Sequence, residues 1–325
     1  MTAFDGFRRY VVSSVRSLCV LAVAGSIAAS VPAQGTQAYI ERIEMLRTQI
    51  KTAEQQHAGA AEVGGLWIRL GNRYQDTHEP AQAEDAFARS LRLLDTPATQ
   101  PQYADALDGL GSLYLQTGRL NDADDDLRKS LAIYQRLGNQ LHTAALHVSI
   151  ALLQLNEHRF REAEAESTEG LTEMQSLDQP DPGELVAAYL AHSYAICDLG
   201  RCGEALSDVD RAMFVAQAHL RPDSIDMVAV WQARGFDQWK AGAPDDADRA
   251  MGAALHLMRS RTDLPQPMQV ALQLGVMRQY DAFLKTTHRK PEEKEMAAEM
   301  ARLQAQQPQP CNGCTVSVAA LGLLP

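Results

Sequence analysis

The side chains best suited to chemistry in this 325-residue chain are four cysteines, Cys197, Cys202, Cys311 and Cys314, and a run of carboxylates at Asp122, Asp124, Asp125 and Asp126. Cys197 and Cys202 bracket Gly200. Thiols on either side of a tight turn pair as a disulfide in an oxidising compartment. The competing reading of Cys197 is a small buried hydrophobe. Cys311 and Cys314 enclose Asn-Gly at thioredoxin-like spacing, as a second disulfide or a redox pair. They follow a Pro/Gln-rich stretch, however, and do not open a helix inside a βαβ unit. No His follows Cys314, which excludes covalent haem attachment. A four-Cys zinc site is set aside because each pair has a simpler explanation.

The aspartate run fails as a calcium loop. Counting from Asp122, the sixth and twelfth places hold Leu127 and Ile133, where Gly and Glu are required. Carboxylates there suit the positive end of a helix dipole instead. His142, His147, His192 and His256 fall singly on helical stretches, without ligand spacing. No metalloprotease, nucleophile-elbow, phosphate-loop or dinucleotide motif occurs. Neither a metal nor a cofactor is expected, and no catalytic residue can be named.

The elements that would position these groups are set by a pattern recurring about every 40 residues. One copy runs Trp67, Leu70, Gly71, Tyr74, Ala83, Phe87, Ser90, and the next Leu107, Leu110, Gly111, Tyr114, Ala123, Leu127, Ser130. Small residues on two helices let the axes cross closely while bulky ones fill the space beside the crossing. Later copies pass through Ala151 and Ala163, Ser193 and Ala205, then Gly235 and Ala247. The third departs from the pattern, with Gln154 for the aromatic and Ser167 for the second bulky residue. A sixth occupies 280–300, with Asp281 at the small position and His288 where other turns carry Gly.

This pattern resembles the tetratricopeptide repeat family in its longer, kinesin-light-chain-like form. The resemblance implies an all-α, right-handed α-α superhelical solenoid of about six helix-turn-helix repeats. The repeats are expected near 64–97, 104–137, 144–177, 186–219, 228–261 and 274–305. Residues 34–63 read as a capping helix with Ile40, Ile43, Leu46 and Ile50 on one face. Dimerisation through that stripe is the competing use. Residues 306–325 form a tail containing Cys311 and Cys314.

Residues 1–33 read as a signal peptide: Arg8, Arg9 and Arg16 precede the apolar run 18–29, and Val31-Pro32-Ala33 offers a cleavage site. Retention as an anchor is the alternative. Export to the periplasm or beyond follows, with no membrane insertion after removal. The loss of three Arg and one Asp leaves 27 basic against 40 acidic residues and a formal charge of −13. That balance argues against nucleic acid as partner.

A solenoid of this kind implies a protein-binding scaffold and not an enzyme. The first helix of each hairpin should line the concave wall, presenting Asn72, Val148, Leu152, Leu190, Tyr194, Phe236, Trp239 and Arg278 to a peptide or helix with apolar anchors. Asp105 and Asp108 project onto the same wall and would repel a terminal carboxylate. The competing placement packs the apolar members of this set between hairpins. A structural envelope component without a discrete ligand, or a redox or hydrolytic protein using the array as scaffold, are the other functions considered.

Overall fold

The computed structural model describes residues 35–261, 263, 264 and 266–305. Residues 1–33, read above as a signal peptide, and Cys311 and Cys314 lie outside the described residues. Thirteen α-helices and no strand occur among the described residues. The first, α1, is Gly35–Gln55. Six hairpins follow: α2 (Ala60–Asp76) with α3 (Pro80–Leu94), α4 (Gln100–Thr117) with α5 (Leu120–Leu137), and α6 (Gln140–Asn156) with α7 (Phe160–Ser176). Next come α8 (Pro182–Asp198) with α9 (Cys202–His219), α10 (Ile225–Lys240) with α11 (Pro244–Ser260), and α12 (Gln266–Thr286) with α13 (Lys290–Ala305).

Every first helix begins earlier than the repeat pattern implies, because its opening turn is built from capping residues outside the pattern. Asp181 accepts from the Gly183 and Glu184 amides, Ser224 from Met227, and Asn139 from His142, satisfying donors the helix cannot. Pro101 and Pro182 sit in first turns, where a missing N–H costs nothing.

The turn inside each hairpin is stereochemically identical. One residue adopts positive φ: His78, Gly118, His158, Gly200, Gly242 and His288 in order. Each stands seven residues after the small residue of its repeat, so Asp281 is the sixth equivalent of Gly71. In every case the left-handed residue's amide reaches back three residues and the next amide reaches back five, as Gly118 to Leu115 and Arg119 to Tyr114. This pair of bonds closes the helix end as a Schellman motif. Three of the six places hold histidine, one of the side chains that tolerates this region.

Within hairpins the packing follows the small residues. Ala83, Ala123, Ala163, Ala205 and Ala247 are all fully buried. The partner of Gly71 is nevertheless Phe87 and not Ala83: a Cβ on Gly71 would stand 2.8 Å from the Phe87 ring, and Gly109 of the next hairpin approaches the same ring. Phe87 therefore ties two repeats together. Ser90 and Ser130 donate to the carbonyls of Gly64 and Ala104 across their own hairpins.

First helices of successive hairpins also pack on one another, whereas successive second helices make no comparable contact. The first helices are consequently the inner layer and the second helices the outer one. The core falls into two segments that meet at α6. Leu146, Ile150 and Leu153 face the N-terminal segment, while Ala144, Val148, Leu152 and Leu155 face the C-terminal one. An apolar surface on both sides suits a helix sandwiched between neighbours. Ile43, Leu46, Ile50 and Ala53 of α1 are buried against the first hairpin, but Ile40 is 47% exposed.

Candidate functional site

The inner wall is where the arrangement departs most from a plain packed core. Asp105 and Asp108 on α4, Glu184 near the start of α8, and Asp226 near the start of α10 face a common region, together with the cap residue Asp181. Burial, then the nearby Asp181, Asp108 and Asp226 carboxylates, push Glu184 up to about 8. Burial and Asp105 push Asp108 up to about 7. Asp226 rises to about 6, mainly through burial, with Asp181 adding to it and its own backbone amide and Arg261 opposing it. Burial also raises Asp105, against a hydrogen bond from the Tyr134 hydroxyl and the nearness of His142. Glu184 is buried while Asp105, Asp108 and Asp226 stay partly exposed, and like charges held together in such a partly desolvated wall favour protonation, or a cation brought from outside.

The expected wall residues divide in two. Val148, Leu152, Leu190, Tyr194 and Phe236 are each at most 5% exposed and lie in the C-terminal core segment. Asn72, Trp239 and Arg278 remain partly exposed. Trp239 stands edge-on to both Phe236 and Phe283, with the Lys240 ammonium 5.0 Å from its ring centre. Burial lowers the Arg278 guanidinium from its ordinary range. Asp105 and Asp108 were visible in the sequence by repeat phase. Asp181, Glu184 and Asp226 were not, because they sit in the opening turns that the repeat pattern does not include.

The cysteine pair is joined: the Cys197 and Cys202 sulfurs are 2.03 Å apart, spanning the Gly200 turn. Ser193 donates to Asp237 at 2.6 Å, and burial first, then Asp198 and Asp208, hold the Asp237 carboxyl well above its usual range despite that bond. His192 pairs with Asp208 at 2.6 Å and not with Ser193, so this cluster lacks the hydroxyl–imidazole contact of an activated nucleophile. His147, by contrast, is not a lone histidine. Burial would lower its pKa, but a hydrogen bond to Glu166 and the Glu169 and Glu173 carboxylates raise it.

These features define an α-solenoid of helical hairpins with an acidic inner wall. Residues 62–136, the first two hairpins, match the model of the tetratricopeptide repeat family, and the later hairpins repeat the same turn geometry. No match was found among curated proteins. Among solved structures the chain is similar to the apo form of RapI, with a TM-score of 0.67 at 12% identity, over 83% of this chain and 93% of that one. A Rap protein complexed with competence and sporulation factor gives 0.66 at 11%, over 83% and 71%. BtubC (BKLC) from P. vanneervenii gives 0.53 at 16%, over 71% and 92%. At these identities the likeness is one of fold.

Proposed function

We propose that this protein is an exported interaction scaffold whose inner wall receives a cationic segment of another protein. The observation that carries this reading is the set of facing carboxylates on α4, α8 and α10, which hold one another above the ordinary carboxylate range. A Lys or Arg side chain placed among them would relieve their mutual repulsion and form charge-assisted hydrogen bonds. Trp239, at the other end of α10 from Asp226, is a partly exposed aromatic, and Asn72 and Arg278 lie toward the two ends of the array. The buried apolar residues hold this wall in shape, so charge replaces apolar anchoring as the basis of recognition. A Rap protein of the same fold was crystallised with a bound factor, which supports ligand binding by this architecture. The Cys197–Cys202 bridge and the N-terminal Arg-then-apolar run support export.

The test is fluorescence anisotropy with synthetic peptides of equal length that are Lys/Arg-rich, neutral or Glu/Asp-rich. Basic peptides should bind, weaken with added salt, and lose roughly tenfold or more in affinity to a D108N/E184Q/D226N variant. Equal affinity for all three peptide classes would overturn the proposal.

A further inference from the structure

The third hairpin departs from the repeat pattern, and there the fold brings one imidazole against three carboxylates. Glu166, Glu169 and Glu173 occupy i, i+3 and i+7 on α7, hence one face of that helix. His147 comes from α6. Gly170 lets the two helices close at this level: a Cβ there would stand 2.9 Å from the Ala144 carbonyl oxygen and 3.1 Å from the His147 Cβ. His147 is only 5% exposed.

The imidazole is fixed in one orientation. Its Nδ1 lies 2.6 Å from Glu166 Oε2, and Arg128 stands 3.8 Å from the other Glu166 oxygen. The Nδ1 proton is therefore committed to Glu166, and Nε2 is turned toward Glu169 and Glu173. Nε2 is buried without a hydrogen-bond partner, since Glu169 Oε1 is 3.9 Å away. Glu173 Oε2 is likewise buried and unpartnered. One donor atom from each of His147, Glu169 and Glu173 lies within 4.8 Å of the other two.

We propose that His147, Glu169 and Glu173 bind a divalent transition cation, Zn²⁺ in the first place, leaving a fourth position for water or an outside ligand. An imidazole whose Nδ1–H is held by a carboxylate is the usual arrangement of a metal-binding histidine, and Glu166 supplies that support. One nitrogen and two carboxylate oxygens suit Zn²⁺, whereas Ca²⁺ and Mg²⁺ prefer oxygen throughout. Tetrahedral bonds of about 2.0–2.2 Å need donors roughly 3.3 Å apart, so the site must contract by about 1 Å or somewhat more. Glu169, with its side chain 60% exposed, is free to swing inward. The cation also offsets the repulsion of Glu169 and Glu173 at i and i+4. Ligands 22 and 26 residues beyond His147 make no local motif, which hides the site from sequence inspection.

The untagged full chain, stripped with chelator, would be titrated with Zn²⁺ against a chromophoric competitor. One Zn²⁺ per chain should bind. Affinity should fall roughly a hundredfold or more in E169Q/E173Q and about tenfold in E169Q alone, whose exposed site leaves folding intact. E162Q on the same helix should be unaffected. Long-range ¹H–¹⁵N spectra should show the shift at His147 Nε2 while Nδ1 keeps its proton. No binding, equal binding by wild type and E169Q/E173Q, or the shift appearing on another histidine would each overturn the proposal.

Discussion

Glu184 is a residue at which the inner wall costs the fold stability. Its folded-state pKa of about 8 lies above that of an unfolded glutamate, so the folded chain holds a proton that the unfolded chain releases. No penalty exists at pH 4; it grows as pH rises and is complete above about pH 8. Asp108 at about 7 and Asp226 at about 6 act in the same direction. Stability should therefore fall between pH 5 and pH 8.5. E184Q should flatten that dependence and stabilise the chain at pH 8.5 by on the order of a few kcal/mol. Urea midpoints measured at both pH values check this, and an unchanged pH profile in E184Q would contradict it. The same ionisation makes cationic peptides bind more tightly at pH 8.5 than at pH 6, which anisotropy at the two pH values reads directly.

Among the elements, the hairpin turn and the crossing beneath it are the repeating unit. Arg119, Arg201 and Arg289 each follow a left-handed turn residue, and each reaches an acid of the preceding hairpin: Glu84, Glu164 and Asp248. These acids follow Ala83, Ala163 and Ala247, so the ladder keeps the register of the crossing. The pairs are exposed and add little stability individually. The crossing itself matters more. Ala123 has no exposed surface, and A123L should cost about 1–3 kcal/mol by overpacking, read from the thermal midpoint. In the fourth hairpin, reduction of Cys197–Cys202 releases only a short loop and should cost about 2 kcal/mol or less. Hydrogen exchange should place that loss in α8 and α9, and a loss spread evenly over all hairpins would contradict a local role.

On the scale of the whole molecule, α6 decides whether the array behaves as one body, because it contributes to both core segments. Truncating one of its faces should loosen one half first. I150A should lower exchange protection chiefly from α2 to α5, and L152A chiefly from α8 to α10. Each should cost about 2–5 kcal/mol overall. Identical protection changes in the two variants would show that the segments are not separable.

The sequence by itself determined the fold class and the repeat phase. Small residues at Gly71, Gly111, Ala151, Ser193 and Gly235 recur because every hairpin must close over the same crossing, and that local demand is written in each copy. The turn cysteines could be read for the same reason, since five residues of chain fix how far apart they can be. Exposure could not be read this way. Whether Leu190 or Phe236 lines a groove or fills the core depends on how far one hairpin rotates against the next, a quantity that no single repeat encodes. The gathering of Asp108, Glu184 and Asp226 on one wall, and of His147 with Glu169 and Glu173 between two helices, joins residues from separate elements. Only tertiary packing decided those neighbours, because the curvature of the array and the approach permitted by Gly170 bring together side chains that the chain itself holds tens of residues apart.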